Sequence, residues 1–109
     1  MDVHAWTDGF AKALSEIHRI EAKGFSWKYA PYMNCKNVEI PEWTRKPDVW
    51  KVALDQLQGT KPKYRETFIH RDYHPANVLW KGGEVSGIVD WPNACLGPAG
   101  IDVGHCRVN

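Results

Sequence analysis

Absences narrow the sequence first. No apolar run approaches the ~20 residues that cross a bilayer, so no membrane partner is expected. Charge of one sign is not concentrated either. The 14 Lys and Arg nearly match the 13 Asp and Glu, and they are spread along the chain. That removes the basic face a nucleic acid would need. The amino-terminal stretch Met1-Asp2-Val3-His4-Ala5-Trp6 lacks the basic and apolar regions of a signal peptide. Cysteine is scarce: Cys35, Cys95 and Cys106 are an odd number at unrelated spacings, with no CxxC. Neither a disulfide framework nor a zinc knuckle is expected, and a reducing, cytoplasmic setting is the default.

What is present suits one small domain. With 109 residues, 43% hydrophobic, the chain can bury a modest core. Six tryptophans are many for this length, and most are expected to fill that core or cover grooves.

Periodicity organises the first part. Val3, Trp6, Phe10, Ala13, Leu14, Ile17 and either Ile20 or Glu21 recur at three- and four-residue intervals, predicting an amphipathic helix from Val3 to Lys23. Asp2 suits its cap and Gly24 its stop. His18 reads as a helix-surface histidine without chemistry. From Phe25 to Lys46 the period fails among Pro31, Asn34, Asn37 and Pro41, marking a long irregular connection. A second helix is predicted from Pro47 or Asp48 to about Gln58, with Val49, Trp50, Ala53, Leu54 and Leu57 on one face. Thr67-Phe68-Ile69 is a short apolar run ending at His70. Val78-Leu79-Trp80 and Val85 to Val89 flank Lys81-Gly82-Gly83-Glu84, a hairpin signal that delivers Asp90 at the end of the return strand. The tail, broken by Pro92, Gly97, Pro98, Gly100 and Gly104, is expected to lack a closing element.

Phosphoryl transfer from a nucleotide needs a carboxylate to orient an acceptor hydroxyl and receive its proton. It also needs hard oxygen ligands for magnesium. Asp72 follows a short strand, Asn77 lies five positions later, and Asp90 ends the hairpin that begins just after Asn77. A hairpin sets its two ends side by side, so Asp90 approaches Asn77 across thirteen positions of sequence. One carboxylate and two further oxygen donors thereby share a small volume.

The run His70-Arg71-Asp72-Tyr73-His74-Pro75-Ala76-Asn77, followed by Ile88-Val89-Asp90-Trp91, resembles the catalytic and metal-binding motifs of the aminoglycoside phosphotransferase and choline kinase-like family, on a protein-kinase-like background. The resemblance implies Asp72 as catalytic base and Asn77 and Asp90 as the magnesium and hence nucleotide ligands. It also implies His70 packed beneath the loop, and Asp102 steadying that loop through backbone hydrogen bonds. Mg2+ and ATP are the implied cofactors, and a small hydroxyl-bearing compound, aminoglycoside-like or an amino alcohol, the implied substrate. Protein kinases fit less well. Eleven residues separate Asp90 from Asp102, too few for an activation segment, and Trp91-Pro92 follow Asp90 in place of the rest of a DFG. Arg71 stands where the small-molecule branch usually has a small residue.

The implied fold is α+β, a partial carboxy-terminal lobe of the kinase-like fold. It is mainly helical, with a small hairpin carrying the catalytic loop and the metal-binding Asp. Residues 1–109 show no glycine-rich loop or strand lysine ahead of the first helix, nor the family's final helices. They therefore read as a fragment without its nucleotide-binding lobe, inactive in isolation. Apolar faces left open by such a cut predict a homodimer or swapped assembly.

Other readings stand beside this one. The chain could be a non-catalytic remnant or interaction module retaining the fold. His70, Asp72 and His74, joined by His105 and Asp102 or Asp90, could instead build a metal-dependent hydrolase. Trp27, Tyr29, Tyr32 and Trp43, with Glu39 and Glu42, pack the irregular segment in the plainer reading and line a cation site in the sharper one. His4 and His105 have no assignable partner, and the cysteines read as small apolar fillers.

Overall fold

A computed structural model describes residues 2–59 and 61–109. The chain forms two compact units, one made of the chain up to Tyr29 and from Tyr64 onward, the other of Ala30–Lys63.

The first unit opens on helix α1, Val3–His18, capped by the Asp2 carboxylate, which accepts from the His4 N–H at 3.3 Å. The helix is shorter than its apolar period. Ile17 is its last buried residue, and Ile20 is 49% exposed. A helical turn that buries nothing gains little to hold it. The chain instead tightens, with Arg19 N–H donating to Glu16 O and Ile20 N–H to Ile17 O. Gly24 (φ +84°) falls in a separate turn closed by Phe25 N–H to Ala22 O, not at the helix end.

Two antiparallel pairs complete this unit with a third helix. Strand β2, Val78–Lys81, pairs with β3, Glu84–Ile88, as the turn signal predicted. Gly82 and Gly83 take φ +60° and +81°, the doubly left-handed turn that matches the twist of a two-residue hairpin. The second pair is a correction to the expected open tail. Strand β1, Thr67–Ile69, pairs with β4, Cys95–Gly97, in the register Thr67↔Gly97 to Ile69↔Cys95. Helix α3, Gly100–Val108, follows directly. A three-residue strand between prolines carries no readable alternation, and α3 contains Gly100 and Gly104, poor helix formers.

The core of the unit joins α1 to the loop after β1. Phe10, Leu14, Ile17, Tyr73 and Val78 are buried together, with Trp6, Trp80, Ile88 and Trp91 packed around them. Phe10 stacks on Tyr73 at 4.5 Å between ring centroids and on Trp6 at 5.2 Å. The Tyr73 hydroxyl donates to Phe10 O at 2.5 Å, so the one polar atom of this ring is satisfied inside the core. The tryptophan expectation holds for Trp6, Trp80 and Trp91 but not for Trp27 and Trp43, which are 70% and 77% exposed.

The second unit holds a 3-10 turn, Cys35–Asn37, and helix α2, Pro47–Gln58, with proline in its first turn as expected. Gln58 closes back on the turn by donating to Cys35 O at 2.7 Å. None of the α2 residues is fully buried. No helix among the described residues is long and apolar enough to cross a membrane.

Candidate active site

Strand β1 delivers the chain into His70, which is fully buried. Its imidazole does two jobs. Nδ1 accepts from the Asp72 N–H at 3.1 Å, which leaves Nε2 to carry the proton and donate to Val89 O at 2.8 Å. One ring therefore ties the loop carrying Asp72 to the strand end that precedes Asp90. The Asn77 carbonyl adds a second tie by accepting from Val89 N–H at 3.0 Å. The hairpin thus brings Val89, the residue before Asp90, against Asn77, and Asp90 is solvent-exposed.

Asp102 anchors the same loop from α3. Its carboxylate is fully buried and accepts from the His70 N–H at 3.0 Å and the Arg71 N–H at 2.7 Å. A third partner was missed in the sequence: His18 Nε2 lies 2.9 Å from Asp102 Oδ2. His18 is therefore not an idle surface residue but the end of α1 fastened to the loop. Its position after Phe10, Leu14 and Ile17, at the edge of the buried stripe, was the available signal.

The loop closes with a 3-10 turn, Pro75–Asn77. The Asn77 amide nitrogen donates to Asp72 O at 2.9 Å and lies 3.2 Å from Asp72 Oδ2. The same nitrogen lies 3.2 Å from His74 Nε2, and these contacts together orient it inward. The amide oxygen is then the Asn77 atom suited to a cation. That oxygen and the Asp90 carboxylate are both hard oxygens, the donor type that suits magnesium.

His105, named from the sequence only as a ligand in the hydrolase reading and otherwise without an assigned partner, also reaches the loop. Its Nε2 lies 3.0 Å from Asp72 Oδ1, and His74 Nε2 lies 3.5 Å from the same oxygen. Its signal was the three-residue step from Asp102, which puts both side chains on one helix face. Two groups of the hydrolase reading are committed elsewhere. His70 spends both ring nitrogens on backbone groups, and Asp102 spends its carboxylate on two amides and His18.

Arg71 and Asp90 have φ of +71° and +66°, the left-handed region that costs a side-chain-bearing residue about 1–2 kcal/mol. The Arg71 guanidinium sits 4.8 Å from the Tyr29 ring centroid. Tyr29 thus meets a cation from its own chain, and Trp27, Tyr32 and Trp43 are each exposed. Burial pushes the Tyr73 phenol well above its ordinary range, and the neighbouring Cys106 and Asp102 add to the shift. Burial also raises the Cys95 thiol.

With this geometry in view, comparison with known proteins is decisive for the family. The model of the phosphotransferase enzyme family matches residues 2–108. The chain belongs to the phosphotransferase enzyme family. Members of this kinase-like family generally use ATP and Mg2+. Among curated proteins the chain is similar to a homoserine kinase of Rhodopseudomonas palustris strain HaA2, 39% identical over 60 residues, which is 54% of this chain and 18% of that protein. A homoserine kinase of strain BisA53 is 41% identical over 54 residues, 49% of this chain and 17% of that protein. The match thus spans under a fifth of the relatives' own length. No solved structure matches.

Proposed function

We propose that the chain is the acceptor- and metal-handling part of an ATP-dependent small-molecule kinase, from the carboxy-terminal lobe of the kinase-like fold. Asp72 is the base that orients an acceptor hydroxyl and takes its proton. Asn77 and Asp90 hold magnesium, which when bound neutralises the nucleotide phosphates. His70 and Asp102 position these groups without touching substrate. The observation that supports this best is the bridging of Asp72 N–H and Val89 O by the single His70 ring. It fastens the base to the segment bearing Asp90. The hydroxyl-bearing amino acid homoserine is the first acceptor to try, given the similarity to homoserine kinases. An aminoglycoside or amino alcohol is next.

These 109 residues contain no glycine-rich phosphate loop, so we propose that the chain alone does not turn over. ATP-dependent phosphorylation of homoserine or an amino alcohol by the purified chain would overturn that part. The metal assignment has its own test. Mn2+, a paramagnetic stand-in for magnesium, is titrated while amide NMR signals are followed. Broadening centred on Asn77 and Asp90, lost in Asp90→Asn, is expected. Broadening elsewhere, or unchanged in that variant, refutes the assignment. Asn is chosen because it tolerates the left-handed backbone at this position.

A further inference from the structure

The hard-oxygen pair does not account for the other side of Asp72. Its Oδ1 faces two imidazole nitrogens, His105 Nε2 at 3.0 Å and His74 Nε2 at 3.5 Å, and the three donor atoms all lie within 4.8 Å of one another. We propose that Asp72, His74 and His105 form a separate site for a borderline transition metal, Zn2+ being the fitting ion.

The chemistry of the donors makes the choice. Two imidazoles and one carboxylate suit zinc, with bonds of ~2.0–2.2 Å, whereas magnesium prefers oxygens alone. Bonds of that length at tetrahedral angles set donors ~3.3–3.5 Å apart. The 3.5 Å separation from Asp72 Oδ1 to His74 already matches that spacing, the 3.0 Å one to His105 must open by a few tenths of an ångström, and the two imidazoles must close on each other. Three protein ligands leave a fourth position for water, as in open zinc sites.

The surroundings hold the ligands in place. Asp72 Oδ2 receives the Asn77 amide, so Oδ1 is the oxygen turned toward the imidazoles; His74 Nε2 also lies 3.2 Å from that amide nitrogen, a contact the ion would replace. An outer partner of this kind is what orients a ligating carboxylate. The Asp72 backbone is fixed by His70 and Asn77, and His105 sits one helical step from the buried anchor Asp102. The three side chains are 24–36% exposed, so an ion reaches them from solvent.

An ion bound to Oδ1 occupies the carboxylate that would receive an acceptor proton. Zinc at this site therefore shuts off the transfer, a consequence that rests on the proposed role of Asp72, while the binding itself does not. The two metals are thus assigned to different faces of one loop.

The test is calorimetric titration of the purified chain with Zn2+ alone, together with the visible spectrum of the Co2+-substituted protein. One zinc per chain is expected, with a tetrahedral-type cobalt spectrum. Affinity should fall at least about tenfold in His105→Ala and in His74→Ala. Asp90→Asn should bind zinc unchanged, and His105→Ala should keep the Mn2+ broadening at Asn77 and Asp90, so failure of one metal assignment is distinct from failure of the other. Circular dichroism checks that each variant folds, and either histidine variant alone carries the test. No zinc binding below about millimolar concentration, or equal affinity in a folded histidine variant, overturns the proposal.

Discussion

Replacing Asp102 probes the loop most directly. Its buried carboxylate accepts from the amides of His70 and Arg71 and meets His18 Nε2. Asp102→Ala removes all three partners at once and gives water little room to replace them. Each amide left without an acceptor costs about 1–3 kcal/mol, so the whole substitution should cost about 3–5 kcal/mol. Domains of this size are stable by only about 5–15 kcal/mol, which places the alanine variant near the threshold of folding. Asp102→Asn is the sharper probe because it keeps the shape. Its single oxygen is best placed where Oδ2 serves both His70 and His18, which turns the amide group against the Arg71 N–H. One partner of three is then lost, at about 2 kcal/mol, or a Tm ~10 °C lower. Urea and thermal unfolding followed by tryptophan fluorescence measure both variants. The order parent, Asn, Ala is the expected result. An alanine variant within ~0.5 kcal/mol of the parent would show that Asp102 does not steady the loop.

Three further outcomes follow from other parts of the same unit. Arg71→Gly should be more stable than Arg71→Ala by about 1 kcal/mol in urea unfolding, because both lose the Tyr29 contact and only alanine keeps the penalty of φ +71°. Gly97→Ala should cost about 1–3 kcal/mol, since an added Cβ would stand 2.5 Å from Tyr29 Cβ and 3.1 Å from Ile69 Cδ1; a neutral effect on Tm would mean that β4 is not packed there. Tyr73→Phe should flatten the alkaline loss of stability. The folded phenol is raised above its unfolded value near 10, so the stability it contributes is present below about pH 10 and lost above it, with a limiting slope of about 1.4 kcal/mol per pH unit. Parallel stability–pH curves for parent and Phe variant between pH 9 and 11 would contradict this.

How far the sequence could be read depended on the distance over which each contact acts. Helix α1, α2 and the β2–β3 hairpin were legible because their signals are local: a three-and-four-residue apolar stripe, a proline–glycine pair, and two glycines in a tight turn. The end of α1 was misjudged because a periodic pattern does not say whether a surface is there to receive Ile20. Strand β4 was invisible, since three residues between turn formers acquire strand geometry only by pairing with distant segments, β1 on one side and the backbone of Trp27 and Tyr29 on the other. In the site, spacing and the hairpin put Asp72, Asn77 and Asp90 together, whereas His70 and Asp102 were named only by resemblance to the family motif. His18 was not, because it meets Asp102 across 84 positions. His105 was one helical step from a residue already singled out, but that helix had itself gone unrecognised.

The backbone carries an argument independent of family likeness. Among the described residues, Arg71 and Asp90 alone hold a positive φ without being glycine, and they lie on the two segments joined by His70. A chain optimised for stability alone would place glycine there, as it does at Gly82 and Gly83. At Arg71 the strain is offset by the Asp102 carboxylate, which takes its N–H at 2.7 Å. At Asp90 the preceding Val89 is fixed on both sides, its carbonyl by His70 and its N–H by Asn77. Each strained residue is thus over-determined by part-buried hydrogen bonds, a pattern that accompanies functional loops rather than connecting ones. Arg71 in this conformation turns the chain between His70 and Asp72, so that Asp72 can return its N–H to the His70 ring. The strain and the placement of the proposed base are therefore one feature, and removing the anchor of the first should displace the second.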